Sequence, residues 1–180
     1  DDLLNVPQDK DTKNIYKNYK ETLQELLTHA YLVMVSTQSL ENKYRKYNSN
    51  IKVIPNKLNQ MYWLDINRNK SKKPKNSSIF LYFGSYTHLE DLETIIPTLD
   101  KVYKKNSDFK LKLIGVTNNV INKPWIEQIA IPNECKAYPK FIRFLQENSQ
   151  DCIAGLAPLK ESEFNNHKSD LKIKEYIGLG

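Results

Sequence analysis

The chain has 180 residues, 39% of them hydrophobic, and 27 Lys and Arg against 21 Asp and Glu give a formal net charge of +6. That length predicts one domain or two small lobes with a buried core, and no run of about 18 apolar residues exists to span a membrane. Cys135 and Cys152 stand apart from each other and from the histidines, which excludes a disulfide framework and a Cys/His metal pattern and fits a reducing compartment.

The chain opens with "DDLL", without the basic and then apolar form of a signal peptide. Ile15, Tyr19, Leu23, Leu26 and Ala30 recur every three or four residues and predict a helix over 12–29. "YLVMVST" (31–37) and "IKVIPN" (51–56) read as strands, and the Lys-, Asn- and Ser-rich stretch 67–77 reads as a linker. "SIFLYFGS" (78–85) is the next strand. Leu89, Leu92, Ile95, Ile96, Leu99 and Tyr103 then mark a helix over 88–104, kinked or broken near Pro97. "KLKLIGV" (110–116) and "DCIAGLAPL" (151–159) are strands. "ECKAYPKFI" (134–142) holds a short strand or turn before a helix over "FIRFLQEN", and a last helix closes the chain. Strands alternating with helices, each strand nearly continuous in apolar residues, predict an α/β fold: a parallel sheet with helices on both faces.

In such sheets ligands bind at the carboxyl ends of strands. That directs attention to the segments after Phe83, Val116, Ala137 and Pro158. In "GSYTHLEDL" (84–92), Gly84 permits a tight turn, Ser85 and Thr87 offer hydroxyls, and His88 offers a donor to a phosphate. The plainer reading is a capping loop, with Thr87 as N-cap and Glu90 as its capping-box partner, and local evidence favours it. In the closing "HKSDLKIKEYIG", Ile173, Tyr176 and Ile177 are assigned to a core. Lys168, Lys172 and Glu175 then fall at i, i+4 and i+7 on the opposite face. Two lysines at a helix start suit a diphosphate, and a carboxylate about 10 Å further along suits ribose hydroxyls. A solvated face with an i,i+3 ion pair between Lys172 and Glu175 accounts for the spacing equally well.

"DCIAGLAPL…FNNHKSDLKIKEYIGLG" resembles the donor-binding segment of GT-B-fold glycosyltransferases related to family 4. "GSYTHLEDL…DFKLKLIGV", "YLVMVSTQSL…IKVIPNKLN" and the acidic "DDLLNVPQDK" resemble successive parts of the same family, bacterial surface-polysaccharide type, in the same order. The resemblance implies a Rossmann-like parallel sheet. Residues 1–60 would be the tail of the acceptor-side domain, 61–77 a linker, and 78–180 a donor-nucleotide-binding domain incomplete at its end. It implies a retaining, metal-independent transfer from a nucleotide-diphosphate sugar, with no cofactor, to a glycan or lipid-linked acceptor. The donor-binding positions it implies are Gly84, Ser85, Thr87, His88, Tyr138, Asn165, His167, Lys168, Ser169, Asp170, Lys172 and Glu175. Glu175 matches the second glutamate of the family's paired-glutamate motif, the ribose holder, and His167 stands where the first glutamate is found. Lys168 and Lys172 supply charge that the family usually carries as a basic pair near Gly84.

The implied enzyme is longer than this chain, so the 180 residues alone are expected to be inactive in transfer. It would be cytoplasmic or peripheral at the inner face of the membrane, where lysines meet anionic lipid. A non-enzymatic nucleotide- or anion-binding module is the alternative. Nucleic acid is not an expected partner, because the chain has no RNA-binding aromatic motif and no finger. Asp9-Lys10-Asp11 has the form of the D-x-D that holds a metal in the other major glycosyltransferase fold. It precedes a helix here rather than following a strand, and capping is its expected role. The strands at 31–36 and 51–54 are expected either to extend the sheet of residues 78–159 or, preferentially, to pair with a second copy in a homodimer.

Overall fold

The computed structural model describes residues 2, 4, 13–63 and 77–180, with side chains from residue 19 onward in the first helix. Asp9, Lys10 and Asp11, the side chain of Ile15 and all of 67–77 but its last residue lie outside the described residues. The chain packs as two compact units. The first comprises Asp1–Lys57 and Glu161–Leu171, and the second comprises Leu58–Lys160 and Lys172–Gly180. Residues 58–60 thus pack with the second unit, and a late segment, 161–171, packs with the first. No helix among the described residues is long and apolar enough to cross a membrane.

In the first unit, helix α1 (Lys13–His29) leads to strand β1 (Val33–Val35), helix α2 (Gln38–Tyr44) and strand β2 (Ile51–Val53). The strands are parallel to each other in a two-stranded sheet separate from that of the second unit, so they do not extend it. Val33 and Val35 pack with Leu27, Leu40 and Tyr44, and Leu23, Ile51 and Val53 close the cluster. The apolar stripe of α1 runs through Leu23, Leu27 and Ala30. Tyr19 and Leu26 are more than half exposed, because the stripe is rotated from the one their spacing suggested.

The second unit contains α3 (Gln60–Trp63), β3 (Ile79–Gly84), α4 (Leu89–Glu93), α5 (Ile96–Lys105), β4 (Lys110–Gly115), β5 (Ile126–Ile129), α6 (Tyr138–Asn148), β6 (Ala154–Gly155) and α7, which starts at Leu171 in the first unit and ends at Leu179. The four strands form a wholly parallel sheet in the order β5-β4-β3-β6. It is an α/β, Rossmann-like sheet covered on both faces. Strand alternation sends Phe80 and Tyr82 to one side, where they meet Leu92 of α4, Leu99 of α5, Leu111, Leu113 and Trp125. It sends Ile79, Leu81 and Phe83 to the other, against Phe141, Phe144 and Leu145 of α6 and Tyr176 and Leu179 of α7.

The break expected near Pro97 lies two residues earlier. α4 ends at Glu93, and Pro97 sits in the first turn of α5, where its missing N–H costs nothing. The segment 134–142 is a short 3-10 turn (Asn133–Cys135) followed by α6 rather than a strand. Periodicity passed over β5, since two of its four residues, Glu127 and Gln128, are polar and exposed.

Candidate functional site

Among the described strands the order reverses once. From β3 the sheet grows through β4 and β5 in one direction, and β6 is then laid on the other side of β3. Loops leaving β3 and β6 at their carboxyl ends therefore diverge, and the crevice between them is where open parallel sheets hold ligands.

Tyr176 of α7 occupies the inner end of that crevice. Its hydroxyl donates to the carbonyl of Leu156 at 2.8 Å and accepts from the backbone N–H of Phe83 at 3.4 Å. One phenol thus satisfies backbone groups of both separating strands. Its ring meets Phe83 edge-on, with centroids 4.9 Å apart. The ring can lie there only because residue 155 is glycine, since a Cβ at that position would collide with it.

Lys172 and Glu175 come from the same helix. The Lys172 ammonium lies 3.8 Å above the Phe83 ring centre, a cation–π contact, and 3.5 Å from Oε2 of Glu175. Glu175 is 7% exposed, and burial pushes its carboxyl above the usual range, only partly offset by Lys172. The ion pair foreseen from spacing does form, but not on a solvated face. Ile173 and Ile177, assigned to a core, are 55% and 73% exposed. Periodicity identifies a helix face but not which face is buried, and here Tyr176 and Leu179 set the orientation. Lys168 is also not on this helix. It follows a 3-10 turn (Asn165–His167) with an extended backbone, and α7 begins three residues later. Lys168, Lys172 and Glu175 therefore do not line one helical face.

Gly84, Ser85, Thr87 and His88 follow β3 directly. Thr87 is not an N-cap: its hydroxyl is 2.7 Å from that of Ser85, and Glu90 pairs with the Lys160 ammonium at 3.0 Å instead of closing a capping box. The His88 ring packs on Gly84, close enough that a Cβ there would come within 2.8 Å of it. His88 Nδ1 is 3.1 Å from Asp91 Oδ2, and the other oxygen of Asp91 accepts the N–H of Lys160 at 2.9 Å. Asp91 is 3% exposed. It is the residue of this site that sequence reading missed, although the three-residue His–Asp spacing was there to be read. Tyr138 lies elsewhere in the unit, at the start of α6, where its hydroxyl accepts from the Trp63 indole at 3.3 Å.

Asn165, His167, Lys168, Ser169 and Asp170 belong to the first unit. There Ser39 and His167 Nδ1 are 2.8 Å apart, Ser169 accepts from Asn56 at 2.8 Å, and the Lys168 ammonium lies over Phe164. Oxygen atoms of Asp2 and Glu163 and a ring nitrogen of His167 lie within 4.8 Å of one another. The Lys43 ammonium is 2.6 Å from Asp2 and 2.5 Å from Glu163, so a lysine supplies the positive charge these carboxylates require.

No protein-family model matches the chain, and no curated protein matches it.

Proposed function

We propose that the second unit binds a nucleotide-diphosphate sugar at the carboxyl ends of β3 and β6, as the donor half of a GT-B-type glycosyltransferase of surface-polysaccharide synthesis. The observation that carries this reading is the placement of Lys172 over Phe83 and beside buried Glu175, at the reversal of strand order among the described strands. The motif resemblance of "GSYTHLEDL" and "KSDLKIKEYIG" supports it.

In this reading the Lys172 ammonium faces the diphosphate and Glu175 accepts hydrogen bonds from ribose hydroxyls. Gly84 to Thr87 offer backbone N–H groups and two hydroxyls. The bond between the anomeric carbon and the phosphate oxygen breaks, and the nucleoside diphosphate leaves with the electron pair. An acceptor oxygen, on a glycan or lipid-linked sugar, forms the new bond and gives up its proton to the departing diphosphate. Charge on the leaving diphosphate is what a fixed ammonium stabilises best. The reaction belongs in the cytoplasm, at the inner membrane face where such acceptors are presented.

A thermal-shift panel of UDP-, GDP-, dTDP- and CMP-sugars tests the reading. At least one diphosphate sugar should raise the melting temperature, and the monophosphate CMP-sugars should not. Absence of a shift with every diphosphate sugar would remove it. Binding with no transfer by the full-length protein to any acceptor would favour a nucleotide-binding module.

A further inference from the structure

The segment after β3 holds more than a phosphate-sized turn. His88 is fixed on three sides. Its ring lies against Gly84, at the carboxyl end of β3. Its carbonyl accepts the Tyr82 hydroxyl at 2.9 Å, and its N–H donates to Ser85 at 3.0 Å. Its Nδ1 faces Asp91, which is itself 3% exposed and held by the backbone of Lys160. The imidazole is about a quarter exposed, so it is anchored at one edge and reachable from solvent.

We propose that the His88–Asp91 pair makes nucleotide binding at this site pH-dependent: the imidazolium of His88 is a charged contact for the diphosphate, and affinity falls as that proton is lost. This rests on the donor-binding reading given above. A buried carboxylate beside an imidazole favours its charged form. When the proton leaves, Nδ1–H can still donate to Asp91, so the ring stays in place and only its charge disappears. A charge-assisted bond to phosphate is then replaced by a neutral one of about half the strength.

The other ionisable groups around the ring do not produce this sign. Glu90 on α4 is paired with the Lys160 ammonium, which hydrogen bonding to Glu90 raises further above neutrality, with Asp91 and Glu93 adding to it. Tyr82 on β3 is pushed upward by burial and by Asp91, so it stays neutral. Lys172 on α7 lies over the neighbouring Phe83. Burial raises the Glu175 carboxyl, and its protonation as pH falls would weaken binding, the opposite direction. Histidine is the side chain whose charge ordinarily changes near neutral pH. Asp91 acts through His88 and is a positioning residue.

Calorimetry with UDP-glucose, GDP-mannose and dTDP-glucose between pH 6 and pH 8 tests this; the diphosphate diester carries no proton that titrates in the range. The wild-type dissociation constant should rise about tenfold across it, the difference between a charge-assisted bond and a neutral one. His88→Gln should bind at pH 6 as the wild type does at pH 8, with a flat profile. Asp91→Asn should move the midpoint to lower pH. An NMR titration of the three histidines in the unaltered protein gives a second readout. By linkage, saturating nucleotide sugar should move the His88 titration to higher pH. A wild-type slope retained in His88→Gln, or a His88 titration unmoved by ligand, would overturn the proposal and leave the binding site standing. No binding of any of the three at any pH would instead overturn the donor-binding reading, and this inference with it.

Discussion

Glu175 is a carboxylate that the fold does not favour in its charged form, which makes it informative as a single residue. Its folded-state ionisation is raised by burial. An acid with a raised folded value contributes stability below its ordinary value of 4.5 and loses that contribution as pH rises through the folded value. Glu175→Gln should therefore raise the melting temperature at pH 7.5 while weakening nucleotide binding by about 1.5–3 kcal/mol, the range for a hydrogen bond to a charged group. Calorimetry and differential scanning fluorimetry on the same sample measure both. A variant that is less stable and binds equally well would assign Glu175 to structure alone. Gly155→Ala is the steric counterpart. Added methyl volume against the Tyr176 ring should cost about 1–3 kcal/mol, more than the 0.4–1 kcal/mol that alanine gains by restricting the unfolded chain. A variant at least as stable as the wild type in urea would show that the ring moves aside. At this scale the sequence was only half legible. The residue types of the site, Gly84, His88, Lys172 and Glu175, stood out from chemistry and motif. Their environment did not, because Lys172, the partner of Glu175, is placed over Phe83, which is distant from both in sequence.

The elements show where periodicity succeeds and where it stops. β3 and β4 have near-continuous apolar runs and were readable within one or two residues. β6 lies inside the strand expected over 151–159, though only Ala154–Gly155 pair, whereas β5 is an edge strand held by pairing rather than by its own pattern. The parallel pairing of β1 with β2 was not legible either, since register and partner depend on how α1 and α2 cover one face. α2 makes an element-scale prediction. Its Lys43 bridges Asp2, whose side chain is fully buried, and exposed Glu163. Burial alone would lower the Lys43 ionisation, but hydrogen bonds to Asp2 and Glu163 outweigh it and hold it raised. Lys43→Met removes the ammonium paired with the buried Asp2 carboxylate, which also accepts the Tyr44 hydroxyl at 3.0 Å, and should destabilise the first unit by about 3–5 kcal/mol. Urea denaturation followed by circular dichroism measures it. A loss below about 1 kcal/mol would mean that the pair behaves as an ordinary surface bridge.

For the whole molecule, the alternation of strands and helices was enough to read the fold class, and the order β5-β4-β3-β6 supplied what alternation could not, the position of the reversal. The return of residues 161–171 to the first unit was not legible, because a polar loop carries no periodic signal of where it packs. Electrostatics gives both units an acid limit. Glu163, through Lys43, and Asp100, through Lys123 and the Trp125 indole, are both held below their ordinary carboxyl values. Lowered carboxyl values contribute stability above the ordinary 4.5 and 3.8, and it is lost as pH falls through the folded values. A circular-dichroism acid titration should show the chain losing stability below about pH 4, and a melting temperature that is flat or rising toward pH 3 would contradict those pairings. The central claim is the location of the ligand. The most direct measurement is backbone amide NMR during titration with the nucleotide sugar that stabilises the protein best. The account predicts shift changes concentrated at Gly84, Ser85, His88, Leu156 and Lys172 to Tyr176. Changes confined to the opposite, amino ends of the strands, with these amides unmoved, would contradict it.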